Sequence, residues 1–302
     1  MGFDVPKEVT IVEVGPRDGL QNEERVVPTE DKLRLIEALS EAGLKRIEVT
    51  SFVHPKWVPQ LRDAAEVMKA LRRRPGILYS VLVPNQTGFD RALGAGVEEI
   101  EVFLSASESH NMLNVNRTIA QSLEGLEPIC QAARQSGIIV RASIATSFGC
   151  SIEGRVPAEK VIDIAGSLVG MGVEEIAFGD TVGLANPRQA YDLFSRLRDA
   201  LPGTRLAAHF HDTRGTGLAN ALAALQAGIT IFDSSIGGMG GCPNTPGAAG
   251  NVATEDLVNM FEEMGVSTGL SVAKLIECAK LAEGIIGRRL PGQLSKARVC
   301  AS

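Results

Sequence analysis

The sequence predicts a single α/β domain built as a TIM (β/α)8 barrel, and three observations carry that prediction. Eight short strand-like runs recur in order: Val9–Gly15, Arg46–Val53, Leu78–Pro84, Glu98–Ser107, Ile138–Gly149, Glu174–Gly183, Arg205–Asp212 and Ile231–Gly238. Several are nearly continuous apolar, β-branched sequence, the pattern of strands covered on both faces. The segments between them, among them Thr29–Gly43, Pro157–Gly172, Pro187–Leu201 and Gly215–Gly228, place apolar residues at helical spacing. The joins repeat as well. Ala42-Gly43, Ala95-Gly96, Met171-Gly172 and Ala227-Gly228 each precede a strand, where glycine supplies the left-handed turn out of a helix. Eight βα units in about 240 residues is the arithmetic of a closed parallel barrel. An open doubly wound sheet is the competing layout, and its dinucleotide-binding form is weakened because no GxGxxG follows the first strand.

Taken in chain order, the strand exits collect the chemistry, as a barrel of this kind requires. At the first exit Arg17 and Asp18 stand between Gly15 and Gly19, which let the backbone turn tightly. The second strand holds Glu48 inside Ile47-Glu48-Val49-Thr50; a carboxylate there is expensive unless paired, and Arg17 is the available partner. His54 and His110 follow the second and fourth strands and read as polar rim residues. Asp180, in Phe178-Gly179-Asp180-Thr181, occupies the sixth exit. The seventh strand carries His209 and His211 at i and i+2, on one side of a strand, where both imidazoles can share a metal ion. After the eighth come Gly237–Pro243 and Gly247–Asn251, too glycine-rich for a packing element and read as a mobile flap carrying Cys242. Thr254–Met264 and Val272–Ile286 are amphipathic, and the basic tail Gly287–Ser302 is expected to be disordered or to cover the active-site mouth. One domain spans 1–302, with the barrel at about 9–250 and C-terminal helices and tail over 254–302.

Composition narrows the function. A net charge of −6 over 302 residues offers no basic field for nucleic acid or an anionic membrane. Aromatics at 4% do not suit a base-stacking surface. With no apolar run of transmembrane length and no secretory signal, the chain reads as cytoplasmic. Five widely spaced cysteines with no CxxC pair resemble neither a disulfide framework nor a zinc ribbon. Asp18, His209, His211 and Asn251 form a mixed oxygen and nitrogen donor set from three exits of one barrel face. Hard oxygens with two imidazoles suit an octahedral divalent ion such as Mg²⁺ or Mn²⁺; Zn²⁺ more naturally takes a tetrahedral or thiolate site.

Longer motifs then carry a resemblance. Glu13–Glu23 (EVGPRDGLQNE), Ile47–Val53, Pro55–Gln60, Gly179-Asp180-Thr181, His209–Thr213, Gly241-Cys242-Pro243 and Gly250–Asp256 resemble the 3-hydroxy-3-methylglutaryl-CoA lyase family, over roughly Val9 to Leu281. The resemblance implies a TIM barrel, a divalent metal on Asp18, His209, His211 and Asn251, and an acyl-CoA substrate. It implies catalytic roles for Arg17, Glu48, Asp180, His209 and Cys242, with Arg17, Gln21 and Arg214 as candidate substrate contacts. The implied reaction is retro-Claisen cleavage of 3-hydroxy-3-methylglutaryl-CoA to acetyl-CoA and acetoacetate, chemistry of leucine degradation and ketone-body formation. A homodimer is implied only in the same way.

The chain departs from the family pattern around the substrate. Arg214 stands where Tyr is usual, Ala177 where a Ser-like residue is, Ser143 and Ser147 in place of Tyr and Cys, and Asn244 where Tyr follows Pro243. A related tertiary 3-hydroxyacyl-CoA such as citramalyl-CoA is therefore the alternative substrate. A condensing enzyme of the same barrel superfamily would need a further C-terminal domain. A silent acyl-CoA-binding protein would be expected to lack Arg17, Glu48 or Cys242, and all three are present.

Overall fold

Eight parallel strands hydrogen-bond in sequence order, and the eighth pairs with the first to close the barrel. The computed structural model describes residues 5–240 and 250–297. The strands are β1 (Thr10–Glu13), β2 (Arg46–Ser51), β3 (Leu78–Leu82), β4 (Glu99–Ser105), β5 (Ile139–Ala145), β6 (Glu175–Asp180), β7 (Arg205–Phe210) and β8 (Ile231–Ser234). All eight predicted runs are present, and they stop short of the predicted C-terminal ends. The difference is physical: those last residues leave the ladder to form the loops that hold the site.

Around the barrel lie α1 (Thr29–Glu41), α2 (Ala64–Ala70), α3 (Gln86–Gly94), α4 (Glu108–Val115), α5 (Ile119–Gln135), α6 (Ala158–Gly170), α7 (Pro187–Ala200) and α8 (Gly217–Gln226). Two more, α9 (Thr254–Glu263) and α10 (Val272–Ile286), follow β8. Side-chain caps set several starts: Asn85, Ser107, Asn186 and Ser271 each accept a backbone N–H of the first turn. Two helices follow β4, because Asn116 ends α4 in the left-handed conformation (φ 54°) and Thr118 opens α5 with a capping box to Gln121. The apolar core sits between strands and helices. Phe194 of α7, for example, meets Phe178 of β6 and Phe210 of β7 edge-on at 5.9 and 6.3 Å.

The barrel interior departs from the apolar expectation, for it contains ion pairs. Arg141 is 1% exposed, and its guanidinium is shared among Glu101, Glu175 at 2.8 Å and Asp233 at 2.6 Å. Arg46 meets Glu175 at 2.7 Å and Glu99 at 3.2 Å. Glu101 and Glu175 lie directly opposite Arg141 on the neighbouring strands. Higher in the barrel, Glu101 lies 3.7 Å from Arg17, which binds Glu48 at 2.6 Å as predicted. One buried chain of charges thus runs from the lower barrel to the site.

The C-terminal segment departs from the first of its two expectations, disorder. Through residue 297 it packs against the loop after β8: Leu290 is buried, Gly292 N–H donates to Gly237 O at 2.9 Å, and Gln293 and Leu294 N–H donate to Asp256. Gly237–Gly240, predicted to be free of packing, is likewise buried. Positive φ at Gly237 (68°) and Gly240 (89°) explains those glycines, and a Cβ on Gly250 would fall 2.0 Å from Gly240 O.

Removing one partner from a buried ionic cluster leaves the others uncompensated. Arg141→Leu should therefore destabilise the fold by about 3–5 kcal/mol, read from urea unfolding. A loss below about 1 kcal/mol would show that the network contributes no more than an apolar filling.

Candidate active site

The loop after β1 sets the first half of the site. Val14 O accepts from the N–H groups of Arg17, Asp18 and Gly19, winding residues 15–19 into a wide helical turn. That turn places two adjacent side chains of opposite charge at the barrel mouth. Arg17 Nη1 donates to Asp18 Oδ1 at 2.6 Å while its Nε donates to Glu48 Oε2 at 2.6 Å. Gln21, one turn on, donates to Asp18 Oδ1 at 2.9 Å, which places this candidate substrate contact on the carboxylate predicted to bind the metal. Bringing Arg17 out of water opposes its charge, but Glu48, Asp18 and Glu101 more than offset that and hold it charged.

The second half comes from β7 and the chain beyond β8. Asp18, His209 and His211 each offer a ligand atom, all within 4.8 Å of one another. His211 pairs as an isolated bridge with Asn251, whose side-chain amide donates to Asp18 Oδ2 at 2.7 Å and to Met239 O at 3.1 Å. The four predicted ligands therefore converge from three exits. Asn251 Oδ1 is buried with no hydrogen-bond partner, an orphan oxygen beside a carboxylate and two imidazoles. Burial raises the pKa of Asp18, yet Arg17, the two imidazoles and the Asn251 amide hold it well below the usual carboxylate range. An ionised oxygen, an orphan amide oxygen and two imidazoles fit a hard divalent cation. Burial, reinforced by Glu101, pushes the Glu48 carboxyl well up despite Arg17.

The remaining predicted residues fall in different places. Asp180 is buried at the end of β6, but its two oxygens accept from Leu184 N–H at 2.7 Å and Ala185 N–H at 3.1 Å. It holds the loop after β6 closed, and burial raises its pKa to about 6. Among the described residues Arg214 makes no ion pair with a rim acid; its Nη1 donates to Val182 O and Gly183 O at 3.2 and 2.7 Å. Cys242 and Asn244–Pro246 lie outside the described residues. His54 is exposed, but His110 is no rim residue; it is buried, with Nδ1 2.6 Å from Ser105 Oγ. Of the departures from the family pattern, Ser143 donates to Glu101 at 2.5 Å and Ser147 to Ile144 O at 2.7 Å.

Sequence reading missed the supporting acids. Asp233 lies opposite His209 on β8 and contacts its Nδ1 at 3.2 Å. Glu13 Oε1 accepts from Gly15 N–H and Ile236 N–H at 2.8 Å, and its Oε2 accepts from the Thr254 hydroxyl at 2.6 Å. Glu13 thereby ties the loop bearing Arg17 and Asp18 to the loop after β8. Glu255 adds a bond from Gly237 N–H at 2.9 Å. Burial raises Glu13 to about 7 and Glu255 to about 8. For Asp233 and Glu13 the signal was available, an acid inside an apolar strand, the same cue that marked Glu48; Glu255, in the first turn of α9, carried no such cue.

A closed (β/α)8 barrel with charged and metal-ligating side chains at the C-terminal strand ends defines a TIM-barrel enzyme. Residues 8–282 match the HMGL-like family. The chain belongs to that family. It is 49% identical over 288 residues to the hydroxymethylglutaryl-CoA lyase YngG of Bacillus subtilis, covering 95% of this chain and 96% of that one. It is 47% identical to the mitochondrial hydroxymethylglutaryl-CoA lyase of Bos taurus, covering 97% and 90%. A crystal structure of the Bacillus subtilis HMG-CoA lyase superposes with a TM-score of 0.94 at 48% identity, covering 97% of this chain and 99% of that one. An Acinetobacter baumannii HMG-CoA lyase solved with coenzyme A and 3-methylmalate superposes at 0.93 and 42% identity, covering 96% and 95%. Among the described residues, no helix is long and apolar enough to cross a membrane.

The Glu13 tie has a consequence for pH. A carboxyl with a native pKa near 7 and an ordinary value of 4.5 binds its proton more tightly in the folded chain. Its contribution is full below about pH 4.5 and is lost as pH rises through about 7. Glu13→Gln imitates the protonated form, because its amide can donate to Thr254. Relative to wild type, the variant should gain at least about 1 kcal/mol in urea unfolding between pH 5 and pH 8. Equal losses in both proteins over that range would remove Glu13 as the titrating group.

Proposed function

We propose that this chain catalyses the divalent-metal-dependent retro-Claisen cleavage of 3-hydroxy-3-methylglutaryl-CoA to acetyl-CoA and acetoacetate. The observation that carries it is the adjacency of Arg17 and Asp18. One turn presents an ionised metal-ligand oxygen and, 2.6 Å away, a permanent guanidinium. Asp18, His209, His211 and Asn251 would hold Mg²⁺ or Mn²⁺, which lowers the pKa of a tertiary hydroxyl enough for a modest base to take its proton.

The chain's own residues supply the rest. As the hydroxyl proton leaves, the electron pair of the broken O–H bond becomes the second C–O bond of the acetoacetate ketone and the C2–C3 bond breaks. Its electron pair moves onto the thioester, whose oxygen becomes an enolate oxygen. Arg17 donates to that oxygen, and Glu48 and Glu101 orient the guanidinium from below. Such a preorganised donor contributes about 3 kcal/mol to the transition state. The enolate carbon takes a proton to give acetyl-CoA, and the Cys242 thiol is the proposed donor. The hydroxyl proton goes to Asp180, the carboxylate beside the metal-binding His209, so no net proton is gained or lost. Asp180 holds the loop whose Val182 and Gly183 carbonyls position Arg214. The substrate is soluble acyl-CoA, in keeping with a cytoplasmic homodimer.

A second substrate is favoured by one observation: the Acinetobacter baumannii relative was solved with coenzyme A and 3-methylmalate. Both 3-methylmalate and the acyl part of citramalyl-CoA are methyl-branched four-carbon hydroxydiacids, although only the latter carries its methyl on the hydroxyl carbon. The two readings separate by their keto product, acetoacetate or pyruvate.

Chelator-treated enzyme should release no acetyl-CoA from 3-hydroxy-3-methylglutaryl-CoA, and Mg²⁺ or Mn²⁺ should restore release. Arg17→Met should lower kcat by roughly 100-fold or more with little change in KM, because the enolate charge exists mainly in the transition state. Full turnover by metal-free enzyme would end the metal-dependent account. A variant with raised KM and intact kcat would move Arg17 to ground-state binding.

A further inference from the structure

We propose that Asp233 is the positioning residue for His209, fixing the imidazole so that Nδ1 keeps the proton and Nε2 is the nitrogen presented to the cation. The proposal rests on the metal-site reading above and adds to it the origin of the ring's orientation.

The geometry comes from strand register. His209 on β7 and Asp233 on β8 are directly paired across the ladder, so their side chains leave the same face of the sheet. His209 Nδ1 and Asp233 Oδ2 lie 3.2 Å apart, with Asp233 3% exposed. The second oxygen, Oδ1, accepts from Arg141 Nη2 at 2.6 Å. Arg141 is in turn anchored by Glu101 and Glu175. The carboxylate therefore cannot swing away from the imidazole without stripping a partner from a fully buried guanidinium.

Chemistry then assigns the proton. A carboxylate bound to a guanidinium is ionised and only accepts hydrogen bonds, so the ring nitrogen facing it must donate. In the neutral imidazole that leaves the lone pair on Nε2, the form a metal requires. Carboxylates placed behind metal-binding histidines act in this way, and their loss typically weakens metal binding 10–100-fold. A mere counter-ion for Arg141 is a different role, and the two separate experimentally. An asparagine keeps an oxygen for Arg141 but turns an N–H toward His209, which drives the ring proton to Nε2 and blocks coordination.

The test uses full-length, chelator-stripped protein titrated with Mn²⁺, with the free ion followed by electron paramagnetic resonance. Wild type should bind Mn²⁺; failure to bind would overturn the metal site, and the role of Asp233 with it. Asp233→Asn should bind about 10–100-fold more weakly while keeping the native circular dichroism spectrum. In a His209→Ala background the same substitution should change affinity by less than about twofold, since the ring it positions is gone. Wild-type affinity in a folded Asp233→Asn protein would overturn the proposal, as would an undiminished further loss in the His209→Ala background. Should Asp233→Asn fail to fold, wild-type protein with 15N-labelled histidine and Mg²⁺ decides. A proton on His209 Nδ1 supports the assignment, and a proton on Nε2 overturns it.

Discussion

Arg141 at the centre of the barrel is the interaction on which the site depends. Its guanidinium is divided among Glu101, Glu175 and Asp233, and two of those acids continue upward. Glu101 reaches Arg17, and Asp233 reaches His209. A buried guanidinium tolerates no unpaired face, so each acid is held in one place and transmits that constraint to the residue above it. The position of the proposed enolate donor and the proposed aim of His209 thus have a common origin.

A second constraint joins the loops. Glu13 accepts from Gly15, Ile236 and Thr254 together, and Glu255 from Gly237. The turn that aims Arg17 and Asp18 and the segment that leads towards Cys242 are thus tied through one buried side chain. Leu290 and Gly292 brace the same glycine segment from the C-terminal end. Segment 236–240 is buried and packed, while the loop after β6 is held separately by Asp180.

Much of this was legible in the sequence. The eight strands followed from β-branched runs and Gly-terminated helices, and Asp18, His209, His211 and Asn251 from their places at strand exits. The Arg17–Glu48 pair followed from the expense of a lone carboxylate in a strand. The ionic lumen was written in the alternation of Arg46 with Glu48 and of Glu99 with Glu101, but the surrounding apolar residues masked the period of two. Asp233 was missed because identifying its partner requires the β7–β8 register, a nonlocal quantity that one strand does not encode. The packing of Gly237–Gly240 was missed because glycine composition reports backbone freedom and says nothing of what surrounds it. Likewise, the contacts of Arg214 depend on where the loop after β6 places its carbonyls.

The most direct test of the account is anomalous diffraction at the manganese edge from crystals soaked in Mn²⁺. The predicted result is one strong peak within about 2.0–2.4 Å of Asp18, His209, His211 and Asn251, with the His209 contact made through Nε2. A peak elsewhere, or one coordinated without His209 and Asn251, would contradict it.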